Sequence, residues 1–174
     1  IYYFIISLVI GVGSGTTVVI SQLFGAKQYQ KVQLAFSSFF IFMLVGGIIL
    51  SIAGIIFAEP VFRLTNTPEE VIPQAVAYFR IYIGGTFLFV TFNSIISILR
   101  GVGESVRPML FILITTVLNI AFDLLFILVF KWGIEGAARA TVVSQGIGMC
   151  IALAYVNNTH PVSYTHLRAH ETSL

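Results

Sequence analysis

The chain has 174 residues, 57% of them hydrophobic and only 9% charged, with a net charge of +2 and a mean hydropathy of +0.98. So small a positive excess, with no stripe of basic and aromatic residues, excludes nucleic acid as a partner. The apolar residues fall into long runs at 1–26, 32–58, 81–99, 108–130 and 140–156, and the segments between them hold most of the Lys, Arg, Asp and Glu. A helix needs about 20 apolar residues to cross a hydrocarbon core roughly 30 Å thick. Five such runs in succession exclude a soluble core and predict an all-α polytopic membrane bundle embedded in a lipid bilayer.

The first span is expected near 1–24. It is no signal peptide, because no basic region precedes it and it is too long for an apolar signal core. Ile1 is not a start methionine, so the chain is expected to be a piece of a longer protein. Gly11, Gly13 and Gly15 could be taken for a nucleotide-binding loop, but that fingerprint needs a strand before it and a helix after it. Within a membrane helix they read as points of close packing or bending.

The second span is expected near 34–58, with Gly46, Gly47 and Gly54 as packing points, and the third near 78–99, with Gly84 and Gly85 likewise. The connector RGVGESVRP at 100–108 ends at a proline suited to the first turn of the following helix. The fourth span is expected near 108–130 and the fifth near 137–156. Cys150 stands alone in an apolar helix and reads as a small packing residue.

Short cytoplasmic loops retain Lys and Arg. The 25–33 loop carries Lys27 and Lys31 without an acid, and the 100–107 loop carries Arg100 and Arg107 against Glu104. The 59–77 loop has three glutamates against Arg63, and the 131–136 loop balances one Lys with one Glu. Loops 25–33 and 100–107 are therefore expected in the cytoplasm.

The tail changes character. His160, His166 and His170 lie in it, and the i, i+4 pair His166 and His170 has a metal-ligand spacing. SYTHLRAHET, however, resembles a translated sequencing-adaptor scar, and residues 157–174 are set aside on that ground. The sequon Asn157–Asn158–Thr159 falls on the expected cytoplasmic side and carries no weight.

The functional pointer is Asp123, a lone carboxylate in an otherwise uncharged span. An ionised Asp at the centre of a bilayer costs roughly 2.5–3.5 kcal/mol on insertion scales, so it faces a bundle interior or watery cavity and has a task there. Asn119 precedes it by four residues and shares its helix face. At about 1.5 Å per residue Asp123 lies on the order of 10 Å from Phe130, and the short 131–136 connector returns the next helix antiparallel, with Thr141 near the same depth. Amide, carboxylate and hydroxyl make an oxygen set suited to a hard monovalent cation or a proton and poorly suited to zinc. Burial favours the neutral acid and a bound cation favours the carboxylate, so such a site can alternate between loaded and unloaded states. The competing reading is a buried Asp held by Asn119 and backbone for packing alone. No nucleophile–base pair or metal motif appears, so an enzyme is not expected.

GTTVVISQLFGAK at 15–27, LRGVGESVRPML at 99–110, LNIAFD at 118–123 and GIEGAARAT at 133–141 together resemble the N-terminal half of a multidrug and toxic compound extrusion (MATE) transporter of the DinF-like branch. The resemblance covers residues 1 to about 156. It implies five of the six helices of one lobe, lacking the first helix and the C-terminal lobe, in the plasma (inner) membrane of a bacterium. It implies export of organic cations or amphiphilic drugs by antiport with H⁺ or Na⁺, with no cofactor. By motif, Asn119, Asp123 and Thr141 correspond to the family's N-lobe cation site, and Asn93 is a weaker member of the polar cavity. A lipid or lipid-linked sugar flippase of the related superfamily and a non-transporting structural subunit are the alternatives.

Overall fold

The computed structural model describes residues 2–65 and 67–159, and at 2–6, 8 and 159 the backbone alone. These residues form α1 (Tyr2–Gly25), α2 (Tyr29–Leu64), α3 (Ile72–Gly84), α4 (Thr86–Gly101), α5 (Val106–Leu124), a π-helical turn (Leu125–Val129) and α6 (Gly133–Thr159). No strand occurs among the described residues, as the apolar runs predict. Tyr29–Leu64, Ile72–Gly101, Val106–Val129 and Gly133–Asn158 are each long and apolar enough to cross a membrane, and the described part of α1 adds the shorter apolar helix Val9–Gly25.

The helices turn back on themselves through the same backbone device three times. After α1, Lys27 N–H donates to Phe24 O and Gln28 N–H to Leu23 O, with Lys27 at φ 57°. After α4, Gly103 N–H donates to Arg100 O and Glu104 N–H to Leu99 O, with Gly103 at φ 87°. After the π turn, Trp132 N–H donates to Phe126 O, with Lys131 at φ 56°. A residue in the left-handed region lets the next amide cap the last carbonyls of the helix, which matters where no water reaches them. Glycine adopts that conformation without strain.

The charged segment 59–77 is far less of a loop than its composition suggests. α2 continues through Pro60 to Leu64, helped by an Arg63–Glu59 pair at 2.9 Å one turn apart, and α3 begins at Ile72 with Pro73 in its first turn. The helical period outlasts the apolar run because a pair at i, i+4 supports the helix beyond the membrane.

α4 is the central helix, in contact with α1, α2 and α6. Ile95, Ile98 and Leu99 on it are almost fully buried, and Phe92, Ile95, Ile96 and Leu99 form a core with Phe111 of α5 and Ala152 of α6. Small residues permit these approaches. A methyl added at Gly47 would meet the Phe87 backbone at 2.9 Å, one at Gly101 would meet Ile20 at 2.8 Å, and those at Gly54, Gly85 and Gly148 would collide with Ile83, Val142 and Thr115. Gly85 also divides α3 from α4. Gly11, Gly15 and Gly46 behave otherwise, meeting nothing within 4 Å, so the packing role expected of them is not exercised among these helices. Cys150 likewise is exposed on α6 and fills no core position.

The outer faces are apolar. Phe42, Ile49 and Ile56 form an exposed stripe on α2, and Met109, Leu113, Val117, Ile120, Leu124 and Leu128 form one along α5 and its π turn. Such faces belong against lipid tails. His160, His166 and His170 lie outside the described residues.

Candidate cation site between α5 and α6

α5 carries Phe111, Thr115, Asn119 and Asp123 at four-residue spacing, and α6 packs against it at Thr115 and Asn119. The pairing is antiparallel. Gly148 lies against Thr115, Thr141 against Asn119, and Gly136 against Phe126. The register follows from the connector, which needs only residues 130–132 to reverse the chain.

Two of the residues picked from sequence meet across this interface. Asn119 Nδ2 donates to Thr141 Oγ1 at 3.3 Å, and Thr141 Oγ1 donates to its own helix at Ala137 O, 3.1 Å away. The amide nitrogen and the hydroxyl hydrogen are thus used within the protein. What the pair still offers is oxygen lone pairs and the second amide hydrogen of Asn119. Asp123 lies one turn further along α5, at the junction with the π turn. Its Oδ1 is buried and accepts no hydrogen bond among the described residues. An unsatisfied buried acceptor costs about 1–3 kcal/mol, more when charged. That oxygen therefore takes no hydrogen bond from Asn119 or the backbone, as it would in a purely packing Asp. Asn93 sits apart. Its Nδ2 donates back to Phe89 O at 2.9 Å, and no hydrogen bond joins it to Asn119, Asp123 or Thr141.

Three features escape a reading of the sequence. Gln145, four residues past Thr141, also has a buried side-chain oxygen without a hydrogen-bond donor. Its spacing from Thr141 is visible in the sequence, but its burial is not. The π turn follows Asp123 directly, and π-helical turns inside α-helices recur at functional sites. It is flanked by an aromatic group in which Trp132 lies 5.0 Å from the Phe126 ring and 5.1 Å from the Phe130 ring, with the Arg139 guanidinium 4.8 Å from the Trp132 ring. At the other end of the bundle, Tyr155 Oη donates to Glu104 Oε2 at 3.1 Å and accepts from Arg107, tying the end of α6 to the α4–α5 turn. A separate cavity of about 430 Å³ between α2 and α3 is lined by Glu59, Arg63, Glu69 and Arg80 and shares no residue with the cation site.

Apolar helices of spanning length with a polar cluster on their inward faces define an integral membrane protein of the helical-bundle class. Comparison with known proteins narrows this. The MatE family model matches residues 1–125. The probable multidrug resistance protein YpnP of Bacillus subtilis (strain 168) is 39% identical over 154 residues, which are 87% of this chain and 34% of that protein. A solved multidrug resistance MATE family transporter of the MOP superfamily in its outward-facing conformation aligns with a TM-score of 0.85 and 29% identity, covering 89% of this chain and 34% of that one. An inward-facing structure, described in the same terms, aligns with a TM-score of 0.83 and 30% identity over 87% of this chain and 34% of its own. The chain belongs to the MATE family, and it spans about a third of the length of the relatives it matches.

Proposed function

We propose that the transporter containing this chain exports organic cations or amphiphilic drugs by antiport with H⁺ or Na⁺, and that Asp123, Asn119 and Thr141 form its coupling-ion site. The observation that carries this reading is the buried, unpartnered Asp123 Oδ1 one helical turn from the Asn119–Thr141 pair, whose hydroxyl hydrogen and one amide hydrogen are already committed. Acceptor oxygens without donors favour a positive charge. An all-oxygen set suits a hard monovalent ion or a proton. A structural subunit is disfavoured by the same fact, because a carboxylate retained for packing would have donors. Handling of drugs also fits the names of relatives such as YpnP, a probable multidrug resistance protein.

The lobe resembles an outward-facing and an inward-facing structure almost equally, with TM-scores of 0.85 and 0.83. That supports alternating access by movement of a rigid lobe, the ion's binding energy favouring one arrangement over the other. In this reading the protein lies in a bacterial plasma membrane, with the basic turns around Lys27, Lys31, Arg100 and Arg107 in the cytoplasm. Asp123 then lies toward the outer face and Gln145 toward the inner one.

Asp123→Asn in the full-length transporter tests the assignment, because it keeps the shape and removes the charge. Drug efflux driven by an imposed cation gradient in proteoliposomes is expected to fall at least a hundredfold at unchanged protein yield. Efflux at the wild-type rate would reject the site.

A further inference from the structure

One turn from Thr141 on α6 lies a second buried oxygen that accepts no hydrogen bond among the described residues, Gln145 Oε1. Its direction follows from its neighbours on α6. At about 100° per residue, Thr141 and Gly148 point toward α5, against Asn119 and Thr115, while Val142 and Gly146 point toward α4, against Gly85 and Leu88. Gln145 projects between these two directions, where α4, α5 and α6 meet. Because α5 and α6 are antiparallel, Asp123 lies one turn from the pair toward the π turn and Gln145 one turn from it toward the α4–α5 turn. The three polar levels span roughly 10 Å along the helix axes.

Leu or Met would fill the volume of Gln145 without leaving a polar atom buried, so packing does not explain the amide. An amide oxygen is a neutral donor atom for a hard cation and holds it less tightly than a carboxylate does. A path needs sites favourable enough to enter and weak enough to leave. We propose that Gln145 is a second, weaker binding station for a coupling Na⁺, on its route between Asp123 and the end of the bundle formed by the α4–α5 turn; an amide oxygen is too weak a base to hold a proton. This rests on the role proposed for Asp123.

The test uses the full-length transporter in proteoliposomes, with drug efflux recorded against Na⁺ concentration, and a wild type driven by H⁺ alone overturns the proposal. Gln145→Glu keeps the shape and adds charge, turning the weak station into a strong one. The half-saturating cation concentration should fall at least fivefold, with slower maximal turnover. Gln145→Leu removes the oxygen and should slow turnover about tenfold while changing half-saturation less than twofold. A Gln145→Glu variant with wild-type half-saturation and turnover overturns the proposal, and this arm stands even if the Leu variant does not fold. Asp123→Asn, run in parallel, separates the two readings. Loss of coupling there with a wild-type-like Gln145→Glu rejects only the second station, and retained coupling there rejects both.

Discussion

At 3.3 Å the hydrogen bond between Asn119 and Thr141 is longer than the usual N–H···O distance, yet each group has reason to keep it. Both residues are half-buried, and a buried amide without an acceptor costs about 1–3 kcal/mol. Thr141→Val keeps the side-chain shape and removes the hydroxyl. It is expected to lower stability by about 1–2 kcal/mol, read as a lower melting temperature in detergent. It should also raise the half-saturating coupling-ion concentration about tenfold, because one ligand oxygen is gone and Asn119 is released to rotate. Thr141→Ser should restore most of both. Asn119, Asp123 and Thr141 were recognisable in sequence because charge and polarity are conspicuous in an apolar span. Gln145 was not, since a polar side chain one turn from Thr141 looks the same whether it ends in a watery groove or in a sealed crevice. Whether Asn93 joins the site was equally hidden, and its bond to Phe89 O shows that its amide nitrogen is used within α4.

Among the helices, close approach is concentrated at a few glycines and the rest are indifferent. Gly148 faces Thr115 and Phe92, and a methyl there would meet the Phe92 ring at 3.3 Å and collide with the Thr115 methyl. Gly148→Ala is expected to destabilise the bundle by about 1–3 kcal/mol, the usual range for overpacking. Gly46→Ala meets nothing within 4 Å and should be neutral or stabilising by about 0.5–1 kcal/mol, since alanine restricts the unfolded chain and favours helix. Thermal unfolding of the two variants side by side checks the contrast, and equal melting temperatures would contradict the packing described here. Sequence spacing marks every glycine alike. Only the neighbouring helix decides which of them is crowded, because the side of α1 or α2 that meets α4 depends on how the helices rotate when they pack.

For the whole molecule, the near-equal likeness to outward- and inward-facing relatives makes rigidity within the lobe testable. A Cβ at Gly13 would lie 3.7 Å from Ser97 Cβ, within the usual Cβ separation of a disulfide. A transporter carrying Gly13→Cys, Ser97→Cys and Cys150→Ser, oxidised across α1 and α4, should retain at least half of its efflux. Efflux lost on oxidation and regained on reduction would mean that these helices slide during transport. The sequence alone determined the class and the succession of apolar helices, and it pointed to three oxygen-bearing candidates, because hydropathy sets which segments leave water and a charge in lipid is costly wherever it falls. The ends of α2 and α3, the π turn after Asp123, the crowded and uncrowded glycines and the sealed oxygen of Gln145 were decided only by tertiary structure. Each depends on which helix lies opposite and at what register, and that is settled by packing between segments distant in the chain.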